Sequence, residues 1–333
     1  MSQSRSPKAV SLEIFRHLFT ALCEEMGATL KRASFSPNIK ERRDYSCALF
    51  DSSGAAVSLG DHMPVHLGAM PMSVEAALAE IGKLAPGDVV CLNDPFSGGT
   101  HLPDITLISA VHEERGKLLG YVASRAHHSD VGGSTPGSMP LAREIFEEGI
   151  RIPPVRLYEA GQLNTSLWKT LLANVRTPVE RAGDLDAQVA ALHTGSKRLC
   201  EIAQRRGTEE TLTAMEQLIE YADRLVEVAL NIVPDGCYQA EDWIEDDGFG
   251  SGPIPIRVSL NIEGSRLTVD FEGTSPQVPG GVNAVAAITS SATRYVVRCI
   301  VEALLGEPLS AGGGSMSAVE LILPESSVVN ADF

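Results

Sequence analysis

The sequence predicts a mixed α/β fold of the α+β type, in which hairpins and helices occupy separate stretches of the chain. Three observations support this prediction. Apolar runs that flank turn residues indicate β-hairpins in the first part. Long stretches with helical periodicity follow in the middle, and strand-like runs dominate after them. We therefore expect a hairpin-rich domain at 1–177, a long helical pair at 178–235, and a strand-rich domain at 236–333 that looks incomplete at its C-terminus.

The chain is expected to open with a helix and a hairpin. Ser6 is an N-cap candidate, and Pro7 suits the first helical position because its missing N–H would have no partner there. Apolar residues then recur every four positions on one helical face, namely Val10, Ile14, Leu18 and Leu22. The stretch YSCALFDSSGAAVSL predicts a hairpin that turns at Asp51 to Gly54.

The remaining elements follow in order. MSVEAALAEIG predicts a short helix, GDVVCLND a buried strand, and ITLISAVHEERGKLLGYVAS a second hairpin that turns near Glu113 to Lys117. One short helix is expected around LAREIFEEG within a loop-rich stretch. Two long helices follow at about 178–206 and 208–233, then three strands, a helix at 284–305 and the start of another strand.

Composition excludes several classes of protein. The 43 acidic residues outnumber the 27 lysines and arginines, and a net charge of -16 argues against nucleic acid or an anionic membrane as the main partner. The six cysteines form no CxxC pair, so a thiolate metal site is not expected. The N-terminus has no apolar signal core, and no stretch reaches the ~18 apolar residues of a membrane span. We expect a cytoplasmic protein.

The loop NDPFSGGTHLPD ends in His101 and Asp104, just before the second hairpin. Pairing about its turn would put Asp104 roughly opposite Ala126, with His127 and His128 leaving the partner strand at the same open end. Opposed side chains in a ladder lie ~5 Å apart at Cβ. Two histidines and one carboxylate would then meet, which is the ligand set of metal sites that keep positions open for water or substrate.

Adjacent strand residues point to opposite faces, so His127 and His128 are not expected to bind the same ion. Either one is a ligand and the other faces the substrate or supports the ligands, with Asp130 as a spare carboxylate. Nitrogen and oxygen ligands suit Zn, Mn or Fe, and we expect one divalent Zn or Mn ion. The competing interpretation is plain turn chemistry with structural histidines.

Other candidate residues precede this loop. His66 lies four residues after His62, but a proline between them favours an extended loop, in which His66 is a catalytic candidate. Arg43 and Asp44 belong to a charged run that either binds a substrate carboxylate or is a solvated surface. Asp94 is a further substrate-binding candidate. The chain has no GxxxxGK[ST] nucleotide motif and no GxSxG nucleophile motif.

A set of motifs in order along the chain resembles a known family. The motifs are IKERRDYSCALFD, HMPVHLGAMP, LNDPFSGGTHLPD, SRAHHSDVGGSTPGSMP, EEGIRIPPVRL and GTSPQVPGGVNA. Together they resemble the B-type subunits of the hydantoinase B/oxoprolinase family, which also includes the C-terminal half of 5-oxoprolinase and the large subunits of acetone and acetophenone carboxylases. Members of this type are usually much longer, so the chain resembles their N-terminal part.

The resemblance implies an ATP-dependent cyclic amidase acting on hydantoin-like or 5-oxoproline-like rings. ATP would be used by a hydantoinase A-type ATPase partner in a hetero-oligomer, and a metal would be held by His101, Asp104 and His127. His128 or Glu148 would move protons. Two alternatives remain open at this point: the large subunit of an ATP-dependent ketone carboxylase, and a non-catalytic scaffold subunit.

Overall fold

The computed structural model describes residues 9–60, 63–306 and 316–333, with side chains from residue 11 onward. Ser6, Pro7 and His62 therefore lie outside the described residues, and no side chain is described for Val10. The predicted α+β class is confirmed, because helices pack on two separate, mainly antiparallel sheets. Among the described residues, no helix is both long and apolar enough to cross a membrane.

Seven strands form the first sheet in the order β2-β1-β5-β4-β3-β6-β7, and all its neighbouring strands are antiparallel. These strands are β1 (Tyr45–Phe50), β2 (Ala56–Leu59), β3 (Val89–Leu92), β4 (Asp104–His112), β5 (Leu118–His127), β6 (Val155–Glu159) and β7 (Gln162–Leu163). Both predicted hairpins are present. Asp51 closes the first turn by accepting a hydrogen bond from Gly54 N, and Glu113 N donates to Lys117 O in the second.

Helices cover the two faces of this sheet. The first five helices are α1 (Ala9–Ala33), α2 (Pro37–Lys40), α3 (His66–Ile81), α4 (Ile145–Glu148) and α5 (Thr165–Ala173). Two long helices follow, α6 (Pro178–Arg206) and α7 (Thr208–Leu230). Apolar residues of α1 and α6 share one core with one face of the sheet, and those of α3 share another core with the opposite face. Because side chains alternate along a strand, the faces carry different residues of each strand.

Two local predictions need correction. The segment around His66 was expected to be an extended loop, but His66 is the first residue of α3. Pro64 lies ahead of the helix, where a missing N–H costs nothing, so it does not prevent the helix from starting there. In the second hairpin Asp104 pairs with His127 and not with Ala126. The register shifts by one because a bulge between Val111 and His112 leaves one residue of β5 without a partner.

The second sheet has the order β11-β10-β9-β8, with β8 (Gly236–Ile244), β9 (Ile254–Glu263), β10 (Arg266–Asp270) and β11 (Val319–Ile322). The last part of α7 and helix α8 (Ala286–Leu305) pack on it through a third apolar core. Met215 and Leu218 on the earlier part of α7 belong to the core of the first sheet. Helix α7 thus contributes to the cores of both sheets, and the predicted domain boundaries stay a prediction.

Helix α8 also contacts α3, the helix that begins at His66. Ser291 Oγ accepts hydrogen bonds from the backbone N–H groups of Gly68 and Ala69, 3.0 and 2.9 Å away. These N–H groups lie in the first turns of α3, where helices need acceptors from outside. A Cβ on Gly68 would lie 2.6 Å from Ser291 N, so only glycine allows this approach.

Candidate metal centre and adjoining cavity

Three neighbouring strands bring acidic and histidine side chains into one row. Asp104 at the start of β4 pairs directly with His127 at the end of β5. On the other side of β5, Tyr45 of β1 pairs with Ala126, and the preceding Asp44 accepts a backbone hydrogen bond from His127 N at 2.9 Å. The order Asp104, His127 and Asp44 therefore runs across β4, β5 and the start of β1.

His101 completes a cluster with two residues of this row. Its Nε2 lies 3.1 Å from Asp104 Oδ1 and 3.1 Å from His127 Nδ1, and His127 Nδ1 lies 3.2 Å from Asp104 Oδ1. Asp104 and His127 are buried, whereas the side chain of His101 is 31% exposed. The cluster is thus reachable from the side of His101.

The two oxygens of Asp104 have different surroundings. Oδ2 accepts a hydrogen bond from the Thr100 hydroxyl and lies 3.3 Å from His66 Nε2. Oδ1 is buried and has no hydrogen-bond partner, although the two histidine nitrogens lie close to it. A buried carboxylate oxygen without a partner is costly, and a bound cation would remove that cost.

His66 is held at both ring nitrogens. Its Nδ1 lies 2.8 Å from Ser46 Oγ, and Nε2 faces the Asp104 carboxylate. A carboxylate only accepts, so Nε2 carries the proton and Nδ1 accepts from the serine hydroxyl. Burial lowers the pKa of His66, although Asp104 opposes this, and a neutral ring fits both contacts. His66 therefore orients Asp104.

The electrostatics of the cluster favour an ionised Asp104. Burial acts to raise the pKa of this carboxyl, but His101, His127 and His66 together hold it well below its usual range. Burial likewise acts to lower the pKa of His101, and Asp104 outweighs it and raises that pKa. Arg125, fully buried on the same face of β5 as His127, donates to Thr106 Oγ1 at 2.8 Å.

The donor set fits a divalent metal ion. Four ligands placed tetrahedrally at about 2.0–2.1 Å from an ion lie roughly 3.3–3.4 Å from one another. The three donor atoms of His101, Asp104 and His127 are separated by 3.1 to 3.2 Å. Asp44 Oδ2 lies 3.8 Å from His127 Nδ1, so its carboxylate is within reach of a fourth position. These residues would hold Zn or Mn through two nitrogens and one or two oxygens.

The adjacent histidine points to the other face of the sheet. His128 is fully buried, and its Nε2 lies 2.9 Å from Gln188 Oε1 of α6. Gln188 in turn donates to the carbonyl oxygens of Ile105 and Ser124. Burial, with a contribution from Arg181, lowers the pKa of His128 to about 4. The structure does not bring His128 to the cluster.

A cavity of about 630 Å³ adjoins the cluster, and His101 forms part of its wall. That volume lies within the range of small-molecule sites. The loop before β4 adds Pro95, Phe96 and Thr100, and the other walls come from three segments distant in sequence: 142–148 around α4, 277–285 before α8, and 331–333. Glu148 lines it as well, and burial raises the pKa of its carboxyl while His101 opposes the rise. The cavity thus connects His101 of the metal-ligand cluster with the Glu148 carboxyl, which can carry a proton.

The three predicted substrate-binding residues, Arg43, Asp44 and Asp94, lie outside this cavity wall. Asp94 caps the 3₁₀ turn Pro95–Ser97 by accepting from Phe96 N at 3.1 Å, and lies 3.7 Å from Arg151 Nε. Arg43 is exposed at the turn before β1, with a φ of 59°. Asp44 lies beside His127, as described above. The structure therefore groups Asp44 with the metal-ligand candidates and leaves Asp94 in a structural cap.

Several residues of the site carry no strong signal in the sequence. Thr100 could have been suspected from its place next to His101, since a hydroxyl beside a ligand often supports another ligand. Ser46 lies in a run whose residues predict only a core strand. Arg143 and Asn283 line the cavity but lie far from the histidines along the chain. Only the packing of the two sheet regions brings them together.

Comparison with known proteins gives concordant matches. Residues 8–333 match the model of the family described as Hydantoinase B/oxoprolinase. The 5-oxoprolinase 1 of Arabidopsis thaliana is 36% identical over 349 residues, covering 96% of this chain and 27% of that protein. The crystal structure of the ATP-dependent caprolactamase from Pseudomonas jessenii superposes with a TM-score of 0.90 at 31% identity, covering 98% of this chain and 56% of the caprolactamase chain.

A second solved structure supports the fold alone. The nucleotide-free structure of an acetone carboxylase gives a TM-score of 0.85 at 20% identity, covering 96% of this chain and 44% of the carboxylase chain. In each of these matches the present chain spans between about a quarter and just over half of the other protein.

Proposed function

This chain belongs to the hydantoinase B/oxoprolinase family, and on that premise we propose that it is the B-type component of an ATP-dependent amidase that opens hydantoin-like or 5-oxoproline-like rings. The observation that carries the proposal is the meeting of His101, Asp104 and His127 beside a cavity of small-molecule size. Two of the matched proteins are named for the opening of a lactam, and one of them is named ATP-dependent.

The division of labour is part of the proposal. A five-membered lactam or imide is a stabilised amide, and phosphorylation of its oxygen would activate the carbonyl carbon toward attack by water. The bond to the ring nitrogen then breaks, and a second water releases phosphate from the resulting acyl phosphate. The chain has no GxxxxGK[ST] motif, so we assign ATP to a hydantoinase A-type ATPase partner. The chain spans only 27% of 5-oxoprolinase 1, which leaves ample sequence in that relative for a separate ATP site. Dependence on ATP and the free cysteines fit the cytoplasm. The separate ATPase partner is why we propose a hetero-oligomer.

Within the site, each residue has a proposed task. His101, Asp104 and His127 would hold a divalent ion, and Asp44 would be available as a further oxygen ligand. A bound ion of this kind polarises a carbonyl oxygen or lowers the pKa of water. Thr100 and His66 fix Oδ2 of Asp104, so that Oδ1 stays directed at the cluster.

Glu148 is the proposed proton donor. Burial raises the pKa of its carboxyl, so a protonated fraction persists closer to neutral pH than for an exposed glutamate. The carboxyl lines the same cavity as His101 and can deliver a proton to the ring nitrogen that leaves. A Glu148→Gln variant, assayed with the A-type partner, should lose about 100-fold or more in kcat while keeping its metal. Unchanged kcat would remove Glu148 from the mechanism.

The function is tested with the chain purified together with its A-type partner. Ring opening of 5-oxoproline or hydantoin should require ATP, and Asp104→Asn should abolish it. Asp242→Asn, on the exposed strand β8, is the matched control and should keep full activity. Metal content is measured in all three proteins.

Two outcomes would favour the rival functions. Consumption of acetone that depends on bicarbonate, without ring opening, would favour a ketone carboxylase. Full ring-opening activity of the Asp104→Asn complex would favour a non-catalytic scaffold.

A further inference from the structure

We propose that Arg143 is an anion-binding residue of the cavity and that it holds a carboxylate or phosphoryl group of the molecule bound there. The inference rests on the proposed function for the nature of that molecule, a cyclic amide. The geometry around Arg143 carries it independently of the metal cluster.

Among the described residues that line this cavity, Arg143 is the one arginine or lysine. Its guanidinium carbon lies 4.4 Å from the centroid of the Phe249 ring. Its own backbone N–H donates to Glu147 at 2.8 Å, which ties that carboxylate to the main chain. Within the described part of the chain, no carboxylate forms an ion pair with the Arg143 guanidinium. Its in-plane N–H donors therefore remain available to a ligand.

The aromatic support of Arg143 is itself firmly held. Oδ1 of the buried Asp247 accepts hydrogen bonds from Phe249 N and Ser251 N at 2.8 and 3.0 Å. Burial acts to raise the pKa of Asp247, but these N–H groups lower it to about 2, so the carboxylate stays charged. The loop that carries Phe249 is thus fixed by charge-assisted hydrogen bonds.

The same carboxylate anchors the cavity wall. Asp247 Oδ2 accepts from Gly280 N at 3.1 Å, and a Cβ on Gly280 would lie 2.3 Å from the backbone oxygen of Asp247. Asn283 braces this wall by donating to the carbonyl oxygens of Val278 and Gly280, 2.7 and 2.8 Å away. The buried Asp247 carboxylate therefore fixes the position of both the cavity wall at Gly280 and the Phe249 ring that Arg143 stacks on.

This arrangement matches the recognition of an oxyanion that offers two oxygens. A guanidinium stacked on an aromatic face presents its N–H fork at the edge, and that fork fits two oxygens of a carboxylate or phosphate. 5-Oxoproline carries a carboxylate on its lactam ring, whereas 2-pyrrolidone is the same ring without it. A phosphorylated amide would carry a phosphoryl group on its former carbonyl oxygen, which is a second oxyanion that Arg143 could bind. In both cases an oxyanion of the bound molecule would contact Arg143, and its lactam ring would face His101.

The experiment measures binding of 5-oxoproline, 2-pyrrolidone and inorganic phosphate to the full chain, without ATP or turnover. Arg143→Ala should weaken 5-oxoproline binding about 10-fold to 100-fold and leave 2-pyrrolidone binding unchanged. The 5-oxoproline affinity of Arg143→Lys should lie between those of wild type and Arg143→Ala, because lysine keeps the charge but lacks the paired N–H donors of the guanidinium. The matched control is Arg115→Ala, in the exposed turn of the second hairpin.

Competition identifies the source of the oxyanion. If phosphate displaces 5-oxoproline from the wild type but binds Arg143→Ala weakly, Arg143 binds both carboxylate and phosphoryl groups. If phosphate does not displace 5-oxoproline, Arg143 binds the carboxylate. The proposal is overturned if wild type and Arg143→Ala bind 5-oxoproline with equal affinity, or if Arg143→Ala loses the same affinity for 5-oxoproline and for 2-pyrrolidone. It is also overturned if the wild type binds neither 5-oxoproline nor phosphate. Failure of the proposed amidase function gives a different result: 5-oxoproline binding still depends on Arg143, but no ATP-dependent ring opening is measured.

Discussion

Asp104 and His127 face each other across the β4–β5 ladder, with Asp104 Oδ1 3.2 Å from His127 Nδ1. They are the first residue of β4 and the last residue of β5, so the pair lies at the open end of one hairpin. The neighbouring His128 points to the other face and contacts Gln188. Two adjacent histidines therefore have separable roles.

The first prediction compares these two histidines. His127→Ala should lose most of the divalent metal that the purified protein carries. His128→Ala should keep the metal but lower the free energy of unfolding by about 2–4 kcal/mol, because it empties a buried position and leaves Oε1 of Gln188 without a donor. Elemental analysis and urea denaturation measure the two effects. Equal metal loss in both variants would contradict the geometry.

The second prediction concerns the hydroxyl that holds Asp104. Thr100→Val is nearly isosteric and removes the donor to Oδ2, so the carboxylate loses part of its orientation. We expect metal affinity to fall by about 10-fold to 100-fold. Thr106→Val, a buried neighbour on β4 that contacts Arg125 instead, is the matched control and should bind metal normally. Metal titration with a competing chelator measures both, and an equal affinity for the two variants would refute the role of Thr100.

A third prediction concerns acid stability. Burial acts to raise the pKa of Asp88, but the N–H groups of Ala160 and Ala85 and the side chain of Arg156 outweigh it and lower that pKa. The folded state therefore binds this proton more weakly than the unfolded state. The stabilisation is fully present above about pH 4 and is lost as the pH falls through the lowered value.

Asp88→Asn should therefore destabilise the protein at pH 7 by about 2 kcal/mol, since it replaces an ionised acceptor. The difference from wild type should shrink as the pH falls below about 4. Urea denaturation at several pH values tests this, and a difference that stays constant down to acid pH would show that the charge of Asp88 contributes nothing.

The fourth prediction concerns ATP. The chain by itself should neither bind nor hydrolyse ATP, because it lacks the nucleotide motif of a P-loop. With an A-type subunit it should form a permanent complex that buries more than ~2,000 Å². ATPase activity of the pure chain would refute the first statement. Separate elution of the two proteins at micromolar concentration would refute the second.

The sequence was most informative where a few local residues decide the structure. The turn at Glu113 to Lys117 was predicted from its polar residues, and it brings His101, Asp104 and His127 to one place. The register was one residue off, because a bulge depends on how the whole strand packs and has no clear local signal. That single residue decides which histidine faces Asp104.

Other features depend on contacts between distant parts of the chain. The sequence suggested that His66 has a special role, but placed it in an extended loop because of the nearby proline. The cavity wall at 277–285 and the stacking of Arg143 on Phe249 need both sheet regions in place. Periodicity and turn signals act over a few residues and carry no information about such packing.

The hydroxyl of Ser291 has a consequence for how the protein folds. It accepts hydrogen bonds from the first turns of α3, 222 and 223 positions earlier in the chain, and so helps to place His66 against Asp104. The hairpin with Asp104 and His127 closes a short loop, and short loops close early. The support from α8 closes one of the longest loops in the molecule. The ligands should therefore gather first, and the start of α3 that carries His66 should become fixed later, when α8 docks.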